Sequence, residues 1–215
     1  MRIVFLVFDG LTALDAVGPY EVLARVPGAQ VTFAAPRRGV IRTGDAVVGL
    51  TADVALDEID ACDLLVVPGG FGTRALQGNE AILDRLRALD ATTRVTASVC
   101  TGALVLAAAG LLRGRRATTH WAYRDQLAAL GAVPVAERVV RDGKYASSAG
   151  VSAGIDLALA LAMELASPKA AAAIQLGIEY DPAPPLDAGN AERAPAPVRE
   201  AVLARLRARE AARSG

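Results

Sequence analysis

Cys100 stands in the stretch RVTASVCTGALVLAAAGLL, directly after a short β-branched run and directly before helix-forming residues that end at Gly110. That order predicts a strand-to-helix elbow, where the unpaired amides and the positive dipole end of a helix face the sulfur. Such a setting favours thiolate, so the position predicts a thiol of lowered pKa and a nucleophile. The amide of Thr101 is placed to receive negative charge from a substrate. A buried cysteine that merely packs an apolar junction satisfies the same pattern, and the elbow alone does not separate the two roles. Cys62, in IDACDLLVV, has no helix after it and reads as core or surface filler.

Asp15, in LTALDAVGPYEVL, follows the first apolar run and falls at the same edge of the expected sheet as Cys100. Leu14, Ala16 and Val17 around it would desolvate its carboxyl and raise its pKa, giving an acid that donates a proton near neutrality. An aspartate capping a helix ahead of Gly18-Pro19 is the other reading. In VVPGGFGTRAL a strand ends at Pro68-Gly69-Gly70 and the loop runs on through Phe71 and Gly72. Paired glycines there either let backbone amides approach a ligand or make a plain tight turn. The spacing is neither G-x-G-x-x-G nor a Walker loop, so no nucleotide is read from it. His120, closing ATTH, either faces the cysteine or caps the next helix while Trp121 packs.

The segment Gly150-Val151-Ser152-Ala153-Gly154 matches G-x-S-x-G, yet the only histidine, His120, precedes that serine. In the α/β-hydrolase order the histidine follows, so the serine is set aside and the glycines read as close packing. One histidine and two cysteines are a poor ligand supply, and no metal is expected.

These residues need a scaffold, and the hydrophobic pattern describes one. RIVFLVF, AQVTFAA, DLLVVPGG and RVTASV are short apolar runs separated by the helical patterns LTALDAVGPYEVLARV, EAILDRLRALD and TGALVLAAAGLL. The alternation predicts an α/β fold with a mostly parallel sheet covered by helices on both faces. RRATTHW reads as another strand entering the helix AYRDQLAALG, and ERVVRDGKYASSA as a small antiparallel hairpin with a type I′ turn at Asp142-Gly143. Two helices should follow, Val151 to about Ala166 and Pro168 to about Tyr180, with Ser167 as N-cap. The proline-rich DPAPPLDAGNAERAPAP is irregular, and VREAVLARLRAREAARSG is an arginine-rich amphipathic helix.

The 215 residues, 53% hydrophobic, suffice for one compact domain, and 23 basic against 23 acidic residues leave no field to attract nucleic acid or a membrane surface. The first apolar run stops at Asp9, and no stretch reaches the ~18 apolar residues of a membrane span. A cytoplasmic location and a small-molecule partner are expected.

Together these segments resemble the DJ-1/PfpI superfamily, whose members carry a reactive cysteine on the strand-to-helix elbow of a flavodoxin-like sandwich. LDAVGPYEVL, VPGGFGT, SVCTGALVLAAAGLLRGRRATTHWAY, ERVVRDG and EYDPAPPLDAG are most similar to the members that hydrate isonitriles. The resemblance implies a DJ-1/PfpI-like domain over residues 1–190, a proline-containing and helical tail over 191–215, no cofactor, and a homodimer. It also implies that Cys100, Asp15 and Thr101 are catalytic; from their own places in the sequence, Gly70, Phe71 and His120 are expected around the substrate or its developing charge. Cys-Thr-Gly at 100–102 departs from the Cys-His of protease-like members, and Val17 stands where a threonine is expected. The implied reaction is hydration of an isonitrile, R–N≡C, to the N-substituted formamide through a cysteine thioimidate. A glyoxalase-like reaction of the same thiol and a non-catalytic ligand- or redox-sensing role stay open beside it.

Overall fold

The computed structural model describes residues 1–214. The strands in chain order are β1 (Arg2–Leu6), β2 (Gln30–Ala35), β3 (Gly39–Arg42), β4 (Gly49–Ala52), β5 (Val54–Ala55), β6 (Leu64–Val67), β7 (Val95–Val99), β8 (Arg116–Ala117), β9 (Val133–Pro134), β10 (Val139–Asp142) and β11 (Tyr145–Ser148). The helices are α1 (Ala13–Leu23), α2 (Thr73–Gln77), α3 (Glu80–Asp90), α4 (Gly102–Ala108), α5 (Arg124–Ala129), α6 (Ala153–Leu165), α7 (Pro168–Gly177) and α8 (Ala196–Ser214).

Seven strands form the main sheet in the order β10-β11-β7-β6-β1-β2-β5. Every neighbouring pair is parallel except the β10–β11 hairpin. The central strands are apolar because both of their faces are covered: LLVV of β6 and VTASV of β7 are buried throughout, and β1 is buried after Arg2. Helices lie on both faces, α1 packing with α6, and α4 with α2, α3 and α5. From β1 the chain moves outward to β2 and then returns to lay β6, β7 and β11 on the other side. That reversal opens a crevice at the carboxyl ends of β1 and β6, where an open α/β sheet binds ligands. The α1–α6 contact is close because of two glycines. A Cβ on Gly18 would lie 3.1 Å from Ile155 Cγ1, and one on Gly154 3.2 Å from Pro19 Cδ.

Several local expectations are corrected. Strand β8 is only two residues long and pairs with β9, apart from the main sheet. The chain leaves it at Thr118, whose amide donates to Ser147 Oγ at 2.9 Å. In the hairpin Asp142 pairs with Tyr145, so the turn residues are Gly143 and Lys144. Among the described residues of that loop only Gly143 has positive φ, 59°, whereas type I′ needs it at both central positions; glycine first is the type II′ pattern. Ser167 caps α7 by accepting from Ala170 N at 3.1 Å, and that helix ends at Gly177, before Glu179 turns to φ 50°. The β3–β4 hairpin and β5 are short, and β3 and β4 each carry a glycine, which left no strand signal in the sequence.

Two compact units are distinguished, Met1–Ile178 and the residues from Glu179 onward. The second is irregular until α8, whose Val198 and Val202 are exposed. Among the described residues no helix is long and apolar enough to cross a membrane.

Candidate active site

Cys100 follows the last residue of β7 and has φ 55°, the left-handed region that side chains with a Cβ disfavour. Its neighbours over-determine that conformation. The Cys100 amide donates to Ser148 O at 3.1 Å, and its carbonyl accepts from the Thr119 hydroxyl at 2.8 Å. Gly102, the first residue of α4, lies so near β6 that a Cβ would sit 2.0 Å from Val67 O. The elbow read from the sequence is therefore present, built by three segments that converge on one residue.

Asp15 lies in the first turn of α1 and is fully buried. Its Oδ2 accepts from the Gly69 amide at 2.9 Å, across 54 residues of chain, rather than capping its own helix. Its Oδ1 is buried and has no hydrogen-bond partner among the described residues. Burial pushes the carboxyl from 3.8 up to about 7, while the Gly69 amide and the Cys100 thiol beside it pull the other way. Leu14 is 42% exposed and so contributes less shielding than the sequence suggested; Ala16 is buried.

The expected lowering of the Cys100 pKa does not occur. Burial pushes the thiol well above its ordinary value and the Asp15 charge adds to this. The amides of Thr101 and Val151 do stabilise the sulfur's charge but offset only part of the rise, because the residue is just 5% exposed. At rest Cys100 is a neutral thiol beside a carboxyl that exchanges its proton near neutrality.

Thr101 lies against the glycine loop after β6. Its Oγ1 accepts from the Gly70 amide at 2.9 Å, and a Cβ on Gly69 would stand 2.6 Å from Thr101 N and 2.7 Å from Asp15 Oδ2. The paired glycines are thus explained by close approach, and the amide of Gly70 serves to hold the Thr101 hydroxyl. Phe71 is half-buried in the same loop, at the entry to α2. His120 Nδ1 accepts from Ala122 N at 3.3 Å and so caps the turn that leads into α5. Its ring packs with Trp121 and Tyr123, centroids 5.7 and 5.6 Å away. It also lies against Gly150, where a Cβ would fall 2.5 Å from His120 Cδ2. Burial and Arg124 hold its pKa below the ordinary value. Ser152 is exposed and its Oγ accepts from Arg138 at 3.2 Å, a surface contact with no nucleophilic setting. Cys62 sits at the amino end of β6, away from this edge, its thiol pushed up to about 11 by burial.

The profile of the DJ-1/PfpI family matches residues 1–164. The chain belongs to the DJ-1/PfpI family. Among curated members, an isonitrile hydratase of Pseudomonas putida is 46% identical over 198 residues, 92% of this chain and 86% of that one. A deglycase of Pyrococcus abyssi is 33% identical over 150 residues, 69% of this chain and 89% of that one. A solved structure of a THiJ/PfpI family protein from Pseudomonas syringae superposes with a TM-score of 0.92 at 36% identity, covering 98% of this chain and 89% of that chain.

Within this DJ-1/PfpI site, reasoning from sequence missed Thr119, Ser148, Val151 and Thr73. Thr119 and Ser148 hold the Cys100 backbone, Val151 supplies an amide to the sulfur, and Thr73 hydrogen-bonds the Gly70 carbonyl at 2.7 Å. All four act at or through a main-chain group and carry no spacing signature; only the nearness of Thr119 to His120, and of Ser148 and Val151 to the G-x-S-x-G segment, hinted at three of them.

Proposed function

We propose that this protein is an isonitrile hydratase, a hydro-lyase in which Cys100, Asp15 and Thr101 convert R–N≡C to the N-substituted formamide. The observation that carries the reading is the buried pair itself, the Asp15 carboxyl, held by the Gly69 amide at 2.9 Å, beside the Cys100 thiol on an elbow with φ 55°. The 46% identity to the Pseudomonas putida isonitrile hydratase supports the same substrate class.

The productive state holds one proton shared between Asp15 and Cys100. The thiol proton passes through Asp15 to the terminal isonitrile carbon while the sulfur bonds to that carbon, giving the thioimidate R–N=CH–S-Cys100. Addition of S–H across one carbon balances without an external acid. Asp15, ionised again, takes a proton from water as the hydroxide adds to the same carbon, and the nitrogen receives that proton. The tetrahedral adduct R–NH–CH(OH)–S-Cys100 collapses, the C–S bond breaks, and the hydroxyl proton returns to the sulfur as the formamide leaves. Thr101 donates its hydroxyl proton to the water oxygen or to Asp15, and the Thr101 and Val151 amides stabilise negative charge on the departing sulfur. Gly70 holds Thr101; Phe71 and the His120 ring are assigned to the pocket wall for an uncharged R group. A homodimer in the cytoplasm belongs to this reading through the family resemblance, and sedimentation of the purified protein checks the dimer.

The test is formamide production from alkyl and aryl isonitriles by purified protein, run beside Cys100→Ala and beside methylglyoxal as substrate. The reading expects formamide from the wild type alone, and a Cys100 adduct heavier than the protein by the whole mass of the isonitrile. Turnover of methylglyoxal without formamide would overturn it in favour of a glyoxalase-like enzyme.

A further inference from the structure

His120 is the chain's only histidine, and its surroundings fix which ring nitrogen carries the proton. Nδ1 accepts from the Ala122 amide at 3.3 Å, so it keeps its lone pair. Burial and the Arg124 charge both disfavour the imidazolium. A neutral ring with a lone pair at Nδ1 bears its one proton on Nε2. Among the described residues no acceptor is bonded to that N–H, and the side chain is half-buried.

The ring stands on the sulfur's side of the elbow. It packs against Gly150, where a Cβ would lie 3.4 Å from Nε2, and the next residue, Val151, supplies an amide to the Cys100 sulfur. The residue before it, Thr119, donates to the Cys100 carbonyl at 2.8 Å.

We infer that His120 is a further catalytic residue: its Nε2–H donates a hydrogen bond to the nitrogen derived from the isonitrile. The nitrogen of R–N≡C has no lone pair with which to accept it. Once sulfur and hydrogen have added to the carbon, the thioimidate nitrogen carries a lone pair. When hydroxide adds, the C=N π pair moves onto that nitrogen as well. Nε2–H meets one pair while the other receives the proton that Asp15 took from water, and His120 stays neutral throughout. The bond therefore forms only as the reaction proceeds, which raises kcat and leaves substrate binding nearly unchanged. The inference rests on the hydratase reading.

The first test needs no turnover. In isotope-labelled protein the single histidine gives one set of ring-nitrogen resonances, whose two-bond proton couplings report the tautomer. At pH 8 a neutral ring protonated at Nε2 is expected; a ring protonated at Nδ1, or at both nitrogens, overturns the inference. The second test is steady-state formamide formation by the wild type, His120→Phe and His120→Gln, with a thermal melt of each. Both variants lose the ring nitrogen that accepts from Ala122, so a role confined to capping slows them alike. Phenylalanine keeps a ring without the donor and is expected to lower kcat about 100-fold with KM little changed, whereas glutamine restores an N–H and about ten-fold of the rate. If phenylalanine prevents folding, His120→Leu carries the same expectation. A His120→Phe equal to the wild type, a loss confined to KM, or a His120→Gln no faster than His120→Phe overturns the inference. A wild type that makes no formamide instead overturns the hydratase reading, and this inference with it.

Discussion

In the proposed mechanism Asp15 serves the chemistry at the expense of stability, and Asp15→Asn should expose the trade. The folded state binds the Asp15 proton more tightly than the unfolded chain does, since burial moves the carboxyl from 3.8 to about 7. Stability from this group is therefore complete below about pH 4, is lost as pH rises between about 4 and 7, and levels off above. Relative to acid conditions, holding this carboxyl in its buried site costs on the order of 4 kcal/mol at pH 8, where it is ionised, and on the order of 2 at pH 5, where it stays protonated while the unfolded chain ionises. Asparagine keeps an oxygen for the Gly69 amide and carries no charge, but its amino group would occupy the position of an oxygen that has no partner. That substitution penalty, about 1–3 kcal/mol, is the same at both pH values. Comparing wild type with Asp15→Asn by guanidinium unfolding at pH 5 and pH 8 thus isolates the titration. The variant should gain about 2 kcal/mol relative to the wild type between the two conditions while losing its hydratase activity. A stability difference independent of pH would refute the reasoning, because it would mean that Asp15 titrates alike in the folded and unfolded chain.

Other outcomes follow from the same geometry. The rate should rise through about pH 7 as the pair passes from two protons to the productive single proton, and a flat profile between pH 5 and 9 would exclude Asp15 as the group that moves it. Gly69→Ala drives a methyl group against Thr101 N and Asp15 Oδ2, so kcat should fall about 100-fold with roughly 1–3 kcal/mol of lost stability; Gly78→Ala, with open space at its Cβ, is the neutral comparison in the same assays. Thr119→Val removes the shorter of two donors to the Cys100 carbonyl, leaving only Ala103 N at 3.5 Å, and should cost about 1 kcal/mol in a thermal melt together with part of the activity, both restored by Thr119→Ser.

What the sequence determined by itself is local. The buried runs RIVFL, LLVV and VTASV declare a parallel sheet because strands covered on both faces cannot alternate, and the helix EAILDRLRALD is found over the residues its periodicity names. The elbow at Cys100 was legible for the same reason, since a β-branched run meeting a helix former is a property of neighbours. The proton on that cysteine was not. Its state is set by burial and by Asp15, 85 residues away in the chain, and these outweigh the helix-end amides from which a thiolate had been expected. Tertiary structure likewise decided that Gly69 meets Asp15 across 54 residues, that Gly70 holds Thr101 across 31, and that Thr119 steadies the elbow. Such contacts arise only when separate strand ends are brought to one edge of the sheet, and the charge a side chain carries there depends on how much water the packing leaves it.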